Sequence, residues 1–297
     1  MSKNFGIVMC SKMFFYKIFL KKRYVDMIRT YLSEEFKDII DKYKNLEHPI
    51  QTSNLKSNIK EPIWICWWQG EENCPEIIQC CINSIRKNSN GHEVILINKD
   101  NYNKYIKMPD YILDKLNRNM ITITHFSDLL RVSLLDEYGG LWVDASLYLS
   151  GEISDDIFKK EFFTRKITNY VGENVAQGRW SAYLLGGAPN CILFSFLREA
   201  FLKYWENNNI LISYFLIDFT IEIAYKNILE IKKLIDNNAP NNTKIHELAL
   251  KLNDAYNEET LKEITKDTIF HKLTYKEKFN LFTKDNKKTF YNIILNK

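Results

Sequence analysis

The stretch from His125 to Ser146 restricts the fold of this chain more than any other. Phe126, Leu129, Leu130, Leu134 and Tyr138 recur at helical spacing, with Thr124 as the expected N-cap. Gly139-Gly140 ends the helix, because glycine tolerates the left-handed backbone found at helix C-termini. Leu141-Trp142-Val143 then reads as a short buried strand that stops at Asp144. A helix running directly into such a strand calls for a sheet with helices packed on it. Asp128 and Arg131, three residues apart, share a helix face separate from the leucine stripe. By itself that pair is compatible with an exposed ion pair worth roughly a few tenths of a kcal/mol. In open α/β sheets, ligands bind beyond the carboxyl ends of strands, which is where Asp144 falls. An acid after an apolar strand is also an ordinary turn residue, so spacing leaves both readings open.

The preceding segment supplies more of the same sheet. Pro62 to Trp68 is a short apolar run bounded by proline and by Gln69-Gly70, and period two puts Trp64 and Trp68 on one face and Trp67 on the other. Ile78, Cys81, Ile82 and Ile85 form the stripe of a helix after Pro75, and Glu93 to Asn98 is a second buried strand. Strand, helix, strand at this spacing is the unit of a parallel sheet. Residues 162–164 and 183–185 are further expected strands. Residues 191–205 and 214–235 read as helices, and the C-terminal third as helices alone. The first 47 residues also read as helical, and the polar stretch Gln51 to Lys60 as a linker.

Composition narrows the class. The chain has 297 residues, 45% of them hydrophobic, enough for one α/β domain with a sizeable core. A net charge of +4 is too small for a nucleic-acid binder. The six cysteines, at 10, 66, 74, 80, 81 and 191, include no CxxC pair, so neither a zinc site nor a disulfide framework is expected. Free thiols suit a reducing cytosol. No run reaches the roughly 18 to 20 apolar residues of a membrane span. Met13 to Leu20, followed by Lys21-Lys22-Arg23, has the charge order of a signal peptide reversed. That segment suits either contact with an anionic membrane surface or a helix packed on the domain with a solvated basic face. The richness in Ile, Lys and Asn hints at an AT-rich bacterial genome.

Taken in order, Ser127-Asp128-Leu129-Leu130-Arg131, Gly139-Gly140 and Asp144-Ala145-Ser146 resemble the core of the capsular polysaccharide synthesis family. They also resemble the wider DXD-containing sugar transferases, which include yeast-type initiating mannosyltransferases (GT32-like) and glucosylating clostridial toxins. Ile63 to Gly70 is similar to the family's first strand and Cys81-x-x-Ser84 to its following helix. The resemblance extends from about Pro62 to Lys276. It implies a GT-A-type Rossmann-like mixed sheet flanked by helices, with N-terminal and C-terminal helical additions. On that reading residues 1–58 are a helical extension, a candidate for membrane association, and residues 59–297 the catalytic domain. The implied activity is transfer of a sugar from a nucleotide-diphosphate sugar, UDP favoured, to a saccharide acceptor that lipid-linked intermediates would supply. It would retain anomeric configuration and act in the cytoplasm, at the inner face of the membrane.

The resemblance assigns Asp128 and Arg131 to the donor's ribose and sugar hydroxyls, and Asp144 to ribose, sugar or the metal's shell. Asp128, Arg131 and Asp144 are thus the expected catalytic residues. A planar aromatic suits the base, hence Trp67, with Trp68 as the fallback. The metal expected from the resemblance is Mn²⁺ or Mg²⁺, with Asp144, Ser146 and His271 as candidate ligands and Lys272 as a candidate for the diphosphate. Ser146 stands where the motif has its second acid. Serine is usual for the capsular subfamily, but a neutral hydroxyl is a weak ligand for a hard cation. Asp218, an acid inside an apolar helical run, is expected on the acceptor side or behind it, with Trp180 and Asn190 as cleft candidates. The alternative is a catalytically weak module that binds a nucleotide sugar or a glycan. A dehydrogenase would need a G-x-G-x-x-G turn that Gln69-Gly70-Glu71-Glu72-Asn73 lacks. A glycoside hydrolase would need neither Trp67 nor the Ser-Asp-x-x-Arg helix.

Overall fold

A computed structural model describes residues 21–46 and 59–296. Its main sheet has five strands in the order β2-β1-β3-β6-β5, formed by β1 (Ile63–Cys66), β2 (Val94–Ile97), β3 (Gly140–Val143), β5 (Phe162–Thr164) and β6 (Leu184–Gly187). β1 runs parallel to β2 and β3, whereas β6 is antiparallel to both β3 and β5. β5 therefore points the same way as β3, and four of the five strands deliver their carboxyl ends to one edge. This is the mixed, Rossmann-like GT-A-compatible sheet expected from the sequence. A second, two-stranded sheet pairs β4 (Leu147–Leu149) with β7 (Phe270–Lys272).

Strand alternation splits the core into two layers. Trp64, Trp142, Leu185 and Phe162 face one apolar cluster, and Ile63, Ile65, Leu141, Val143, Leu184 and Phe163 face the other. The first layer is completed by α1 (Lys21–Glu35), α2 (Lys37–Lys44), α4 (Asp110–Asn117), α5 (Ile123–Tyr138), α6 (Ile192–Asn207), α7 (Leu216–Asn227) and α8 (Leu229–Asp236). The second holds α3 (Glu76–Lys87), α9 (Glu247–Lys251), α10 (Glu258–Thr265) and α11 (Phe290–Leu295). Trp64 and Trp68 join one layer and Trp67 the other, as period two requires, although β1 stops at Cys66.

The turn from α5 to β3 depends on both glycines. Gly139 has φ 66° and Gly140 φ 89°, and a Cβ on Gly140 would run into the Pro62 carbonyl oxygen. The Gly139 carbonyl accepts from Trp64 Nε1 at 2.9 Å, which fastens the helix end to β1.

Several expectations need correction. α5 is capped by Thr122, whose hydroxyl accepts from the His125 amide at 3.2 Å, two residues before the expected cap. The long helix read over 214–235 breaks at Ile228, which adopts an extended conformation between α7 and α8. The C-terminal third is not helical throughout, because β7 crosses back to pair with β4. The described part of the N-terminal extension does not stand apart. Ile28, Leu32, Phe36, Ile39 and Ile40 are buried in the main core, and Arg29 donates to the buried Glu222 of α7 at 2.7 and 2.9 Å. Met13 to Leu20, the candidate membrane segment, lies outside the described residues. No described helix is long and apolar enough to cross a membrane.

Candidate functional site

A cleft of about 1390 Å³ opens at the edge where β1, β3 and β5 end. It exceeds the roughly 300–1,000 Å³ of a typical single small-molecule pocket. Trp67 follows β1, Asp144 and Ser146 follow β3, and Arg165 follows β5, while Tyr183 enters the antiparallel β6 from the same side. Helix α5 brings Asp128 and Arg131, α7 brings Asp218, and Lys272 closes β7.

The charged residues form one connected chain. Arg131 spreads its guanidinium between two acids, with Nη1 3.1 Å from Asp128 Oδ1 and Nη2 3.0 Å from Asp144 Oδ1. Its plane lies over the Trp142 ring, 4.8 Å from the centroid. Asp144 Oδ1 also accepts from Trp142 Nε1 at 2.9 Å, and Oδ2 accepts from Lys272 Nζ at 2.8 Å. Burial pushes the Asp144 carboxyl up, but Lys272 and Arg131 outweigh it and hold the group below the usual carboxylate range. Asp128 and Arg131 are 7% and 5% exposed, so the surface-pair interpretation does not apply. Removing one partner of such a buried pair costs about 3–5 kcal/mol.

The opposite wall is aromatic and less tightly held. Trp180 Nε1 donates to Asp218 Oδ1 at 2.9 Å. Burial raises the Asp218 carboxyl to about 6 against the opposing Trp180 hydrogen bond, and the Asp128 charge adds to the rise. Tyr214 and Phe215, 68% and 53% exposed, stand at the mouth. Trp67 meets Tyr275 edge-on at 5.4 Å, and its buried Nε1 has no hydrogen-bond partner among the described residues. Trp68 lines the cleft but is wedged against Tyr102 and Phe126, with ring centroids 5.5 and 5.2 Å away.

The structure thus gathers Trp67, Trp68, Asp128, Arg131, Asp144, Ser146, Trp180, Asp218 and Lys272 around one cleft. It does not bring His271 there. Successive residues of β7 point to opposite sides, so Lys272 reaches Asp144 while His271 lies fully buried beside Tyr148, with Nε2 2.9 Å from Ser150 Oγ. Burial drives its imidazole down to about 4. Asn190 is elsewhere too, its amide bonded to the Asp136 carbonyl. Ser84, in the similar helix, is structural: its hydroxyl accepts from the Leu149 amide at 2.9 Å. Cys66 lines the cleft, but burial lifts its thiol to about 12, which removes it as a nucleophile.

The donor set does not fit a protein-built divalent metal site. Among the described residues no three His, Cys, Asp or Glu side chains converge. Both oxygens of Asp144 already face cationic or N–H donors, and without His271 the remaining candidate is the neutral Ser146 hydroxyl.

Sequence reasoning missed Arg165, Tyr183, Tyr214, Phe215 and Tyr275. The first had a readable signal, since it follows the apolar run Phe162-Phe163-Thr164 just as Asp144 follows Leu141-Trp142-Val143. No curated protein sequence matches the chain. The family described as capsular polysaccharide synthesis protein matches residues 12–294, nearly the whole length. With that match spanning every strand and every side chain of the cleft, the chain belongs to the capsular polysaccharide synthesis protein family.

Proposed function

We propose that the cleft transfers a sugar from a nucleotide-diphosphate sugar, a UDP-sugar by preference, to a saccharide acceptor. The observation that carries this reading is Asp144, ionised at the end of β3 between Arg131 and Lys272, in a cleft that also holds Trp67 and has room for two substrates. Trp67 stacks on the donor base, a contact worth roughly 1–3 kcal/mol. Asp144 accepts from donor hydroxyls, and Lys272 faces the diphosphate. Arg131 has both Nη groups engaged by acids, so it positions Asp144 and Asp128 rather than gripping the donor.

The acceptor enters over Tyr214 and Phe215 and presents a hydroxyl to Asp218. Its oxygen forms a bond to the anomeric carbon while the carbon–oxygen bond to the diphosphate breaks. The bonding pair stays on the diphosphate, and the hydroxyl proton passes to the Asp218 carboxylate. Asp218, lifted to about 6, is ionised at neutral pH yet basic enough to accept that proton. Kinship implies that anomeric configuration is retained, which in a single displacement requires the acceptor oxygen to approach on the same face of the sugar from which the diphosphate leaves. A Mn²⁺ or Mg²⁺ ion would travel with the diphosphate rather than wait on protein ligands. The place of action is the cytoplasmic face of the membrane, where lipid-linked acceptors are built.

Screening UDP- and GDP-sugars with saccharide acceptors, with and without Mn²⁺, tests the reading. One donor should be consumed, releasing its nucleoside diphosphate. Tight donor binding without release under any condition would favour the second reading, a nucleotide-sugar or glycan-binding module. The neutral Ser146 in the motif is the observation behind that alternative.

A further inference from the structure

Among the described residues, Arg165 differs from the other cationic side chains of the cleft. Arg131 and Lys272 each hold a carboxylate, whereas Arg165 is 8% exposed, pairs with no acid, and has no hydrogen-bond partner at Nε. A largely buried guanidinium without a counter-charge is unfavourable, and in a cleft its free N–H groups suit an anion. The topology fixes where that anion would lie. β5 and β3 run the same way on either side of β6, so Arg165 and Asp144 emerge at one sheet edge. Tyr183, at the entry to β6, sits between them: its carbonyl accepts from the Asp144 amide at 3.0 Å. Lys272 Nζ lies 4.9 Å from the centre of the Tyr183 ring, and His246 meets the same ring edge-on at 6.2 Å. Burial, then Arg165 and Lys272 in turn, drive the His246 imidazole toward neutrality, so both cations act on one point.

We propose that Arg165 and Lys272, flanking Tyr183, form the diphosphate subsite of the donor and meet the leaving group's charge with protein cations in place of a protein-held divalent metal. This rests on the transferase reading of the same cleft. Lys272 over the Tyr183 ring and Arg165 beside its phenol match an anion with two charged centres better than a single carboxylate. The guanidinium fork pairs with two phosphate oxygens at once, and neutral His246 can donate one more hydrogen bond. Arg165 acquires its counter-charge when the donor's diphosphate binds, and when the anomeric bond breaks the electron pair adds further negative charge beside it.

The test titrates the full chain with UDP, uridine and inorganic pyrophosphate in EDTA, comparing wild type with Arg165→Gln and Arg165→Lys. Wild type should bind pyrophosphate and favour UDP over uridine. Arg165→Gln should weaken UDP and pyrophosphate by about tenfold to a hundredfold, the scale of a lost charge-assisted hydrogen bond, and leave uridine unchanged. Arg165→Lys should recover part of the loss. The ligand-free Tm of Arg165→Gln should equal or exceed wild type, because an uncompensated buried charge has gone. Unchanged UDP affinity in Arg165→Gln, diphosphate binding that appears only with Mn²⁺, or a lower Tm with uridine binding also lost would each overturn the proposal. Pyrophosphate and UDP binding without transfer from any donor would uphold the anion site and remove the transferase reading.

Discussion

The two walls of the cleft are built on opposite principles. On the α5–β3 wall every charge is spoken for: Asp128, Arg131, Asp144 and Lys272 form an unbroken chain of ion pairs, anchored by Trp142. On the α7 wall, Asp218 has a single hydrogen-bond partner among the described residues and a raised proton affinity, and Tyr214 and Phe215 face solvent. A wall of locked charges presents a fixed electrostatic surface that need not reorganise during the reaction. A wall with an uncompensated acid and exposed aromatics suits a partner that comes and goes and a proton that has to move. The contrast supports the proposal that the first wall holds the donor and the second the acceptor.

The sharpest way to break this comparison is Asp144→Asn. Loss of the charge between Lys272 and Arg131 should lower turnover by at least about a hundredfold, the scale of removing one preorganised electrostatic group. The fold should persist with a stability loss of about 1–3 kcal/mol, since asparagine still accepts from Arg131 and Trp142. Steady-state kinetics beside thermal melting reads both, and near-wild-type turnover would remove Asp144 from the mechanism.

Asp218→Asn probes the other wall. Turnover should fall by about a hundredfold, the low end for a lost general base. The acid limb of the wild-type pH profile, with its midpoint near the Asp218 value of about 6, should flatten. The stability effect has a definite sign. Burial raises this carboxyl from 3.8 to about 6, so the folded state keeps a proton that the unfolded chain has released. The stability due to that proton is full below the unfolded value and is lost as pH rises through about 6. The variant should therefore melt closer to wild type at pH 4 and above it at pH 8. An unaltered pH profile would leave Asp218 with a structural role only.

The smallest effect belongs to Tyr214→Ala. Half-saturation for the acceptor should rise by up to about tenfold, one aromatic contact, with donor binding unchanged. Stability should move by less than about 0.5 kcal/mol, because the ring is exposed. A change confined to donor affinity would reverse the assignment of the two walls.

Legibility followed distance along the chain. Helical spacing made Asp128 and Arg131 readable as a pair and the glycine turn made Asp144 readable as a strand-end acid, while the family resemblance grouped the three. Trp67 was separable from Trp64 by strand alternation. His271 and Lys272 were inseparable in the sequence, since nothing local says which side of an isolated strand faces a cleft. Their fate was decided by the pairing of β7 with β4, which puts Lys272 opposite Leu147 and His271 opposite Tyr148. Arg165 was missed because a residue after a three-residue strand matters only if that strand points toward the site.

The amino-acid sequence by itself settled the α/β class, the turn at Gly139-Gly140, the acid at the end of β3 and the two-sided character of β1. Each follows from steric and periodic rules acting over a few residues. Tertiary structure decided the rest: that β6 runs antiparallel and leaves β5 aimed with β3, that Lys272 on the distant β7 reaches Asp144, and that Arg165 is left buried without a counter-charge among the described residues. Those outcomes depend on which strands pair and in what direction, and that choice is made by the whole core at once.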